Sequence, residues 1–329
     1  MEKDLALIMA SYNKGPYIER CIKSISEQTY IDKTEVIIVD DCSTDNSVEI
    51  LRYSANKYHV PITLYVNERN LGMTQNGYRM RPLFAGKKFV TMLDLDDYYI
   101  HPERFERAVK FLKSHPDYSM HGCNFYWETE DGNRRAQFPE NIPNLSFDKF
   151  SQLPFFQTSS TTYRNFFPGK LHEYLDRRLK TQQHSFSDGD PFRNFCAVHY
   201  GKVYLDNFLG SVYSMHVNNG VWASLSEIEK IMSQIQFNRD MAKFSRDFFH
   251  DEESAYILLK ESAKCYFQSI DLLRLMMNDF SANDFHLKPS MVEKLNLQSN
   301  DMLAVFKYLL DQTDFLKSIG AGRKLAARN

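Results

Sequence analysis

The chain has 329 residues, of which 43% are apolar and 14% aromatic, enough to bury a large core in one big domain or two. A net charge of −2 with no basic stripe gives no electrostatic footprint for nucleic acid, so none is expected as a partner. Cys21, Cys42, Cys123, Cys196 and Cys265 show no CxxC spacing, which argues against a zinc site or a disulfide framework and for a reducing compartment. The N-terminus runs directly into an apolar strand, and no apolar run approaches the roughly 20 residues of a membrane span. A soluble protein of the cytoplasm is therefore expected, with peripheral contact at the inner face of the membrane left open.

Strand and helix alternate through the first third of the chain, the pattern of a parallel sheet. Leu5 to Ala10 is a continuous apolar strand, and Ile18, Cys21, Ile22 and Ile25 then recur at helical spacing. Glu35 to Asp41 is a β-branched strand ending in two acids. Ser43, Thr44 and Asp45 follow it as candidate caps for a helix through Val48, Leu51 and Ala55. Ile62 to Val66 and Lys88 to Leu93 make a third and a fourth strand. Pro102 opens a helix that buries Phe105, Ala108, Val109 and Leu112 and stops before Pro116. From about residue 117 short strands and loops are predicted, with a strand at Met120 to Trp127 and a turn at Asp131-Gly132-Asn133. Helical spacing returns at Ile228, Met232 and Ile235, where Ser226 and Glu229 are spaced as a capping box, and again over about 253–278 and 301–316.

Asp94, Asp96 and Asp97 crowd three carboxylates into four positions after the apolar strand. Like charges this close raise one another's pKa and cost stability unless a cation or a hydrogen-bond network holds them. At the carboxyl end of a buried strand, where open α/β sheets place ligands, they read as a site for a divalent cation and phosphate. Asp40 and Asp41 end the second strand in the same way. A carboxylate beside backbone amides can accept from a ligand's N–H, and an aromatic face such as Tyr12 can stack on a planar ring.

Ala10-Ser11-Tyr12-Asn13-Lys14, Ser26-Glu27-Gln28-Thr29 and Ile38-Val39-Asp40-Asp41-Cys42-Ser43-Thr44-Asp45 together resemble the opening of the family-2 inverting glycosyltransferases, and the resemblance extends over about residues 4–225. It implies the GT-A fold, an α/β architecture with a Rossmann-like, mixed but mostly parallel sheet flanked by helices. Residues 1–225 would form the catalytic domain, divided into a nucleotide-binding half (1–116) and an acceptor half (117–225). A helical region (226–329) would follow. The donor implied is a UDP-sugar, held by Ala10, Tyr12, Asn13, Asp41, Asp94 and Arg69. Arg79 is an alternative to Arg69.

Asp94-Leu95-Asp96 resembles the family's DxD motif, which makes Asp96 the first metal ligand and Asp94 the second, with Asp97 as a helper and Mn2+ or Mg2+ as the ion. Ser187-Asp188-Gly189-Asp190, followed by Gly201-Lys202, stands where the family carries a Glu-Asp pair. That makes Asp190 the candidate catalytic base, with Asp188 an alternative. His216, in Val212-Tyr213-Ser214-Met215-His216, is a third candidate metal ligand, and Trp222 a candidate pocket residue. The implied reaction moves a hexose or N-acetylhexosamine to a hydroxyl of a saccharide or lipid-linked glycan, in polysaccharide or glycan biosynthesis. The C-terminal helices, with Lys317, Arg323, Lys324 and Arg328, leave open a homodimer or contact with anionic lipid. Two other readings stay open: a haloacid-dehalogenase-type phosphatase, whose Asp-x-Asp motif Asp94 and Asp96 also resemble, and a non-catalytic scaffold.

Overall fold

A computed structural model describes residues 2–180, 189–215 and 227–277. The chain divides into two units, one ending at Val217 and the other beginning at Asn218. Asp188, His216, Trp222, Ser226, the segment 301–316 and the basic residues from Lys317 onward lie outside the described residues.

Among the described residues the first unit is built on one sheet of ten strands. Strands β1 (Leu5–Ser11), β2 (Thr34–Asp40), β3 (Ile62–Val66) and β4 (Phe89–Met92) run parallel in the order β3-β2-β1-β4. Beyond β4 the sheet becomes mixed. β9 (Thr161–Arg164) lies antiparallel between β4 and β6 (Tyr118–Glu128), and β10 (Lys202–Ser214) pairs parallel with β6. The short strands β5 (Tyr98–Tyr99), β7 (Arg134–Ala136) and β8 (Leu145–Phe147) add antiparallel rungs to β10 and β6.

Both faces of β1 are buried, as its unbroken apolar run requires of a parallel strand. Leu5, Leu7 and Met9 join the core formed by Ile18, Cys21, Ile22 and Ile25 of α1 (Gly15–Ser26) and by Phe105, Val109 and Leu112 of α4 (Arg104–Ser114). Truncating any one of these leucines or isoleucines to alanine costs about 2–5 kcal/mol. Gln28, in the second quoted signature segment, is a fastener within this core. Its amide donates to His101 O at 2.9 Å, and its carbonyl accepts from Phe105 N at 3.2 Å.

The structure corrects the reading in three places. Helix α2 (Ser47–Lys57) begins four residues after Ser43; Asp45 accepts from Ser47 N at 2.9 Å, whereas Ser43 and Thr44 bond back toward Asp40 and Asn13. Helix α3 (Gly72–Met80) follows β3, where no helix was expected. The loop-rich stretch expected after residue 117 also holds two full helices, α5 (Lys170–Lys180) and α6 (Asp190–Tyr200), and the 13-residue β10.

The second unit is described through α7 (Glu227–Phe244) and α8 (Glu252–Met277), which bury Ile235, Met241, Phe244, Ala255 and Leu258. Among the described residues no helix is long and apolar enough to cross a membrane.

Candidate active site

The strand order fixes where a ligand can enter. The chain steps from β1 outward through β2 to β3 and then returns to the other side of β1 as β4, so the connections part at the carboxyl ends of β1 and β4. Ala10 to Lys14 leave β1 at that point, and Leu93 to Asp97 leave β4. Ala10, Tyr12 and Asn13 are exposed there, Tyr12 at 45%.

The β1–α1 turn is held by polar contacts from the β2–α2 loop. Asn13 adopts φ +52°, its N–H donates to Ser43 Oγ at 2.9 Å, and its Oδ1 accepts from Thr44 N at 2.8 Å. Lys14 N donates to Ser47 Oγ at 2.8 Å, and Gly15 N donates to Asp45 at 3.3 Å, so the start of α1 is already supplied with acceptors. A Cβ on Gly15 would stand 2.8 Å from Asn46 Oδ1, which is why this close approach uses glycine.

The two acids ending β2 and its following loop have separate tasks. Asp40 is internal, accepting from Ser11 Oγ at 2.8 Å and from Ser43 N and Oγ at 2.8 and 2.6 Å. Asp41 accepts from Asn67 Nδ2 at 2.7 Å and Leu71 N at 2.9 Å on one oxygen, and from Gly72 N at 2.8 Å on the other. Asp41 therefore organises the β3–α3 loop and keeps lone-pair capacity on its second oxygen. Arg69, in the same loop, is exposed.

The three acids after β4 also separate. Asp97 is 1% exposed and turned inward, accepting from Ser214 N and from Gln157 Nε2, each at 2.8 Å; burial pushes its carboxyl well up. It ties the end of β10 to the segment before β9. Asp96 is ion-paired with the Lys14 ammonium. Asp94 is open to solvent on one side and surrounded by protein on the others. Desolvation, followed by the charges of Asp96 and Asp190, pushes its carboxyl up to about 7.

Asp190 begins α6 ahead of Pro191, the favoured proline position in a first helical turn. Its Oδ1 accepts from Thr158 Oγ1 and from Arg193 Nη2, the latter at 2.5 Å. Arg193 Nη2 also donates to Thr158 Oγ1 at 2.8 Å. Both bonds to Asp190 fall on Oδ1, so Oδ2 is the oxygen left to accept. The charges of Asp97, Asp94, Asp96 and Asp190 all reach Tyr213, whose hydroxyl is pushed up to about 12, mainly by burial.

A second polar cluster lies beside the acids. Arg20 stacks 4.1 Å over Tyr98 and donates to Ser214 Oγ at 3.1 Å and to the Asp96 carbonyl at 3.4 Å. Glu128 receives Arg20 at 3.3 Å, Tyr98 OH at 2.8 Å and Arg134 at 2.7 Å. Arg20, Glu128, Ser214 and Met215 line a cavity of about 300 Å³.

Ala10, Tyr12, Asn13, Asp94, Asp96 and Asp190 thus come from separate segments to one end of the sheet. Sequence reasoning missed Lys14, Gln157, Thr158 and Arg193. Lys14 closes the Ala10-Ser11-Tyr12-Asn13-Lys14 segment and Arg193 follows Asp190 by three residues, but no spacing rule marks either as a partner of distant acids. Among the described residues no group of three or more His, Cys, Asp or Glu side chains is placed to hold a metal.

Residues 6–171, just over half of the chain, match the model of glycosyl transferase family 2, and the chain belongs to that family. An uncharacterised protein of Mycobacterium tuberculosis is 28% identical over 164 residues, covering 49% of this chain and 46% of its own. The poly(ribitol-phosphate) β-N-acetylglucosaminyltransferase TarS of Staphylococcus aureus is 33% identical over 113 residues, 33% of this chain and 19% of TarS. The chain spans about half the length of the first of these relatives. The crystal structure of S. aureus TarS in complex with UDP-GlcNAc superposes with a TM-score of 0.58 at 19% identity, covering 82% of this chain and 73% of that one. That likeness establishes the GT-A fold.

Proposed function

We propose that the protein is an inverting, metal-dependent glycosyltransferase that moves a hexose or N-acetylhexosamine from a UDP-sugar to a hydroxyl of a saccharide or lipid-linked glycan. The observation that carries this reading is the placement of Asp190 within electrostatic reach of Asp94, at the switch point of a family-2 sheet. Family membership also disfavours the phosphatase reading of the Asp-x-Asp motif.

Residues 1–116 would hold the nucleotide and 117–225 the acceptor. Tyr12 offers an exposed ring for the base, and the second oxygen of Asp41 can accept from the uracil N3–H. Asp94 and Asp96 are the ligands this chain offers a divalent cation. Hard oxygen donors suit Mn2+ or Mg2+, and the unfavourable negative charge around Asp94 is relieved by a cation. Such an ion, when bound, offsets charge developing on the departing diphosphate. Under this reading the donor's phosphates and His216, which lies outside the described residues, would be its other ligands.

In the transfer step Asp190 Oδ2 accepts the proton of the acceptor hydroxyl as that oxygen forms its bond to the anomeric carbon. The bond from that carbon to the β-phosphate oxygen breaks, and its electron pair leaves with UDP. Arg193 and Thr158 hold the carboxylate in one orientation through Oδ1. The Asp190→Asn variant keeps this shape and lacks the base.

The test is a donor screen by nucleotide release with Mn2+ and Mg2+, followed by linkage analysis of the product. The expected result is turnover of a UDP-sugar with inversion, lost by about 10²–10⁴ in Asp190→Asn while UDP still binds. Turnover of only a GDP- or dTDP-sugar would overturn the base assignment, and full activity in Asp190→Asn would move the catalytic base elsewhere. No transfer from any nucleotide sugar would favour the scaffold reading.

A further inference from the structure

We infer that Lys14 is a tethered placeholder cation, whose ammonium occupies the Asp96 carboxylate until a divalent metal and a diphosphate arrive together and exchange places with it. The inference rests on the metal and donor site proposed above and adds how the filling of its two parts is coupled.

Three observations carry it. Lys14 Nζ is ion-paired with Asp96, one of the two acids proposed above as metal ligands, and both side chains are largely sheltered, at 22% and 15% exposure. The backbone on both sides of the ammonium is fixed: Asn13 N and Lys14 N are bound to Ser43 and Ser47, and Gly15 N to Asp45. The four-carbon stem is therefore what can move. Lys14 also belongs to the same short turn as Tyr12 and Asn13, the two exposed residues beside which a nucleotide would lie.

The charge balance explains the exchange. Among the described residues, Lys14 and Arg193 both bear on Asp94, whose carboxyl also feels the charges of Asp96 and Asp190. A divalent ion arriving alone must displace the ammonium from Asp96 and leave it beside the newly bound positive charge. A diphosphate arriving with the ion offers the ammonium a new anionic partner, and three rotatable donors on a flexible stem suit it to that transfer. The two ligands therefore bind with positive coupling, and the coupling is reciprocal.

The experiment is a Mn2+ titration of the full chain, followed by electron paramagnetic resonance of the free ion, with and without UDP. It compares wild type with Lys14→Met and Lys14→Arg. Wild type is expected to bind Mn2+ weakly alone and more tightly with UDP. Lys14→Met is expected to bind Mn2+ alone about tenfold more tightly than wild type, because the competing ion pair is gone. In the same variant UDP should tighten Mn2+ less, whereas Lys14→Arg, which keeps the charge, should resemble wild type.

Equal Mn2+ affinity in wild type and Lys14→Met, with Asp96→Asn abolishing binding in both, overturns this inference and leaves the metal site standing. Absence of Mn2+ binding in every protein even with UDP present overturns the metal reading, and this inference with it.

Discussion

Gln157 donates from Nε2 to the buried carboxylate of Asp97 at 2.8 Å, across 60 residues of chain. Its carbonyl accepts from Ser159 N at 2.7 Å and from Ser159 Oγ, so one amide holds the turn after β4 and the approach to β9 together. Gln157→Ala leaves a buried carboxylate with one donor fewer and two Ser159 donors without their acceptor. We expect a loss of about 2–3 kcal/mol in urea unfolding. Gln157→Glu, of the same shape, sets one carboxylate against another and should lose more stability at pH 8 than at pH 5.

Asp94 sets a pH dependence in the metal-free protein. Its folded pKa is raised to about 7, so the folded state holds this proton more firmly than the unfolded chain does. The favourable contribution is complete near pH 4 and is lost as the pH rises toward and through 7. Asp94→Asn removes the titration. In chelator-treated protein its melting temperature should match wild type near pH 4 and exceed it by pH 8; a constant difference across that range would contradict the assignment.

Gly122 lies under Phe156, and a Cβ at that position would run into the ring. Phe156 is fully buried and immediately precedes Gln157 and Thr158, the partners of Asp97 and Asp190. Gly122→Ala is expected to cost about 1–3 kcal/mol through overpacking. It should also lower turnover more than donor affinity, because the displaced segment orients the base. Parallel thermal melts, UDP titration and rate measurements separate these effects.

Asp41 and Gly72 can be separated by substitution. Asp41→Ala removes the acceptor of Leu71 N and one of the two acceptors of Gly72 N and of Asn67 Nδ2, so the β3–α3 loop should loosen and UDP affinity fall at least tenfold by calorimetry. Gly72 has φ +76° with open space around it, so Gly72→Ala meets only backbone strain of about 1–2 kcal/mol. Its UDP affinity should stay closer to wild type.

The parallel half of the fold was legible because its signal is local. The runs Leu5 to Ala10 and Glu35 to Asp41 and the spacing of Ile18, Cys21, Ile22 and Ile25 need no knowledge of distant residues. The acids at the strand ends were legible for the same reason. Helices α5 and α6 were hidden among aromatic and polar residues, although Leu171 and Leu175, and Phe192 and Cys196, recur at i, i+4. The division of labour among Asp94, Asp96 and Asp97 was not legible. It depends on Lys14, 82 residues from Asp96, and on Gln157 and Ser214, 60 and 117 residues from Asp97.

The stretch from Phe156 to Ser160 has a consequence for how such a protein can diverge. Neighbouring side chains on one short backbone segment serve Asp97, in the acid turn after β4, and Asp190, at the start of α6. The spacing between the two is thus set by covalent geometry, much as a jig fixes two tools. Loops outside the jig, such as the one around Asp131 to Asn133, can lengthen or change chemistry to suit a new acceptor while that spacing stays constant.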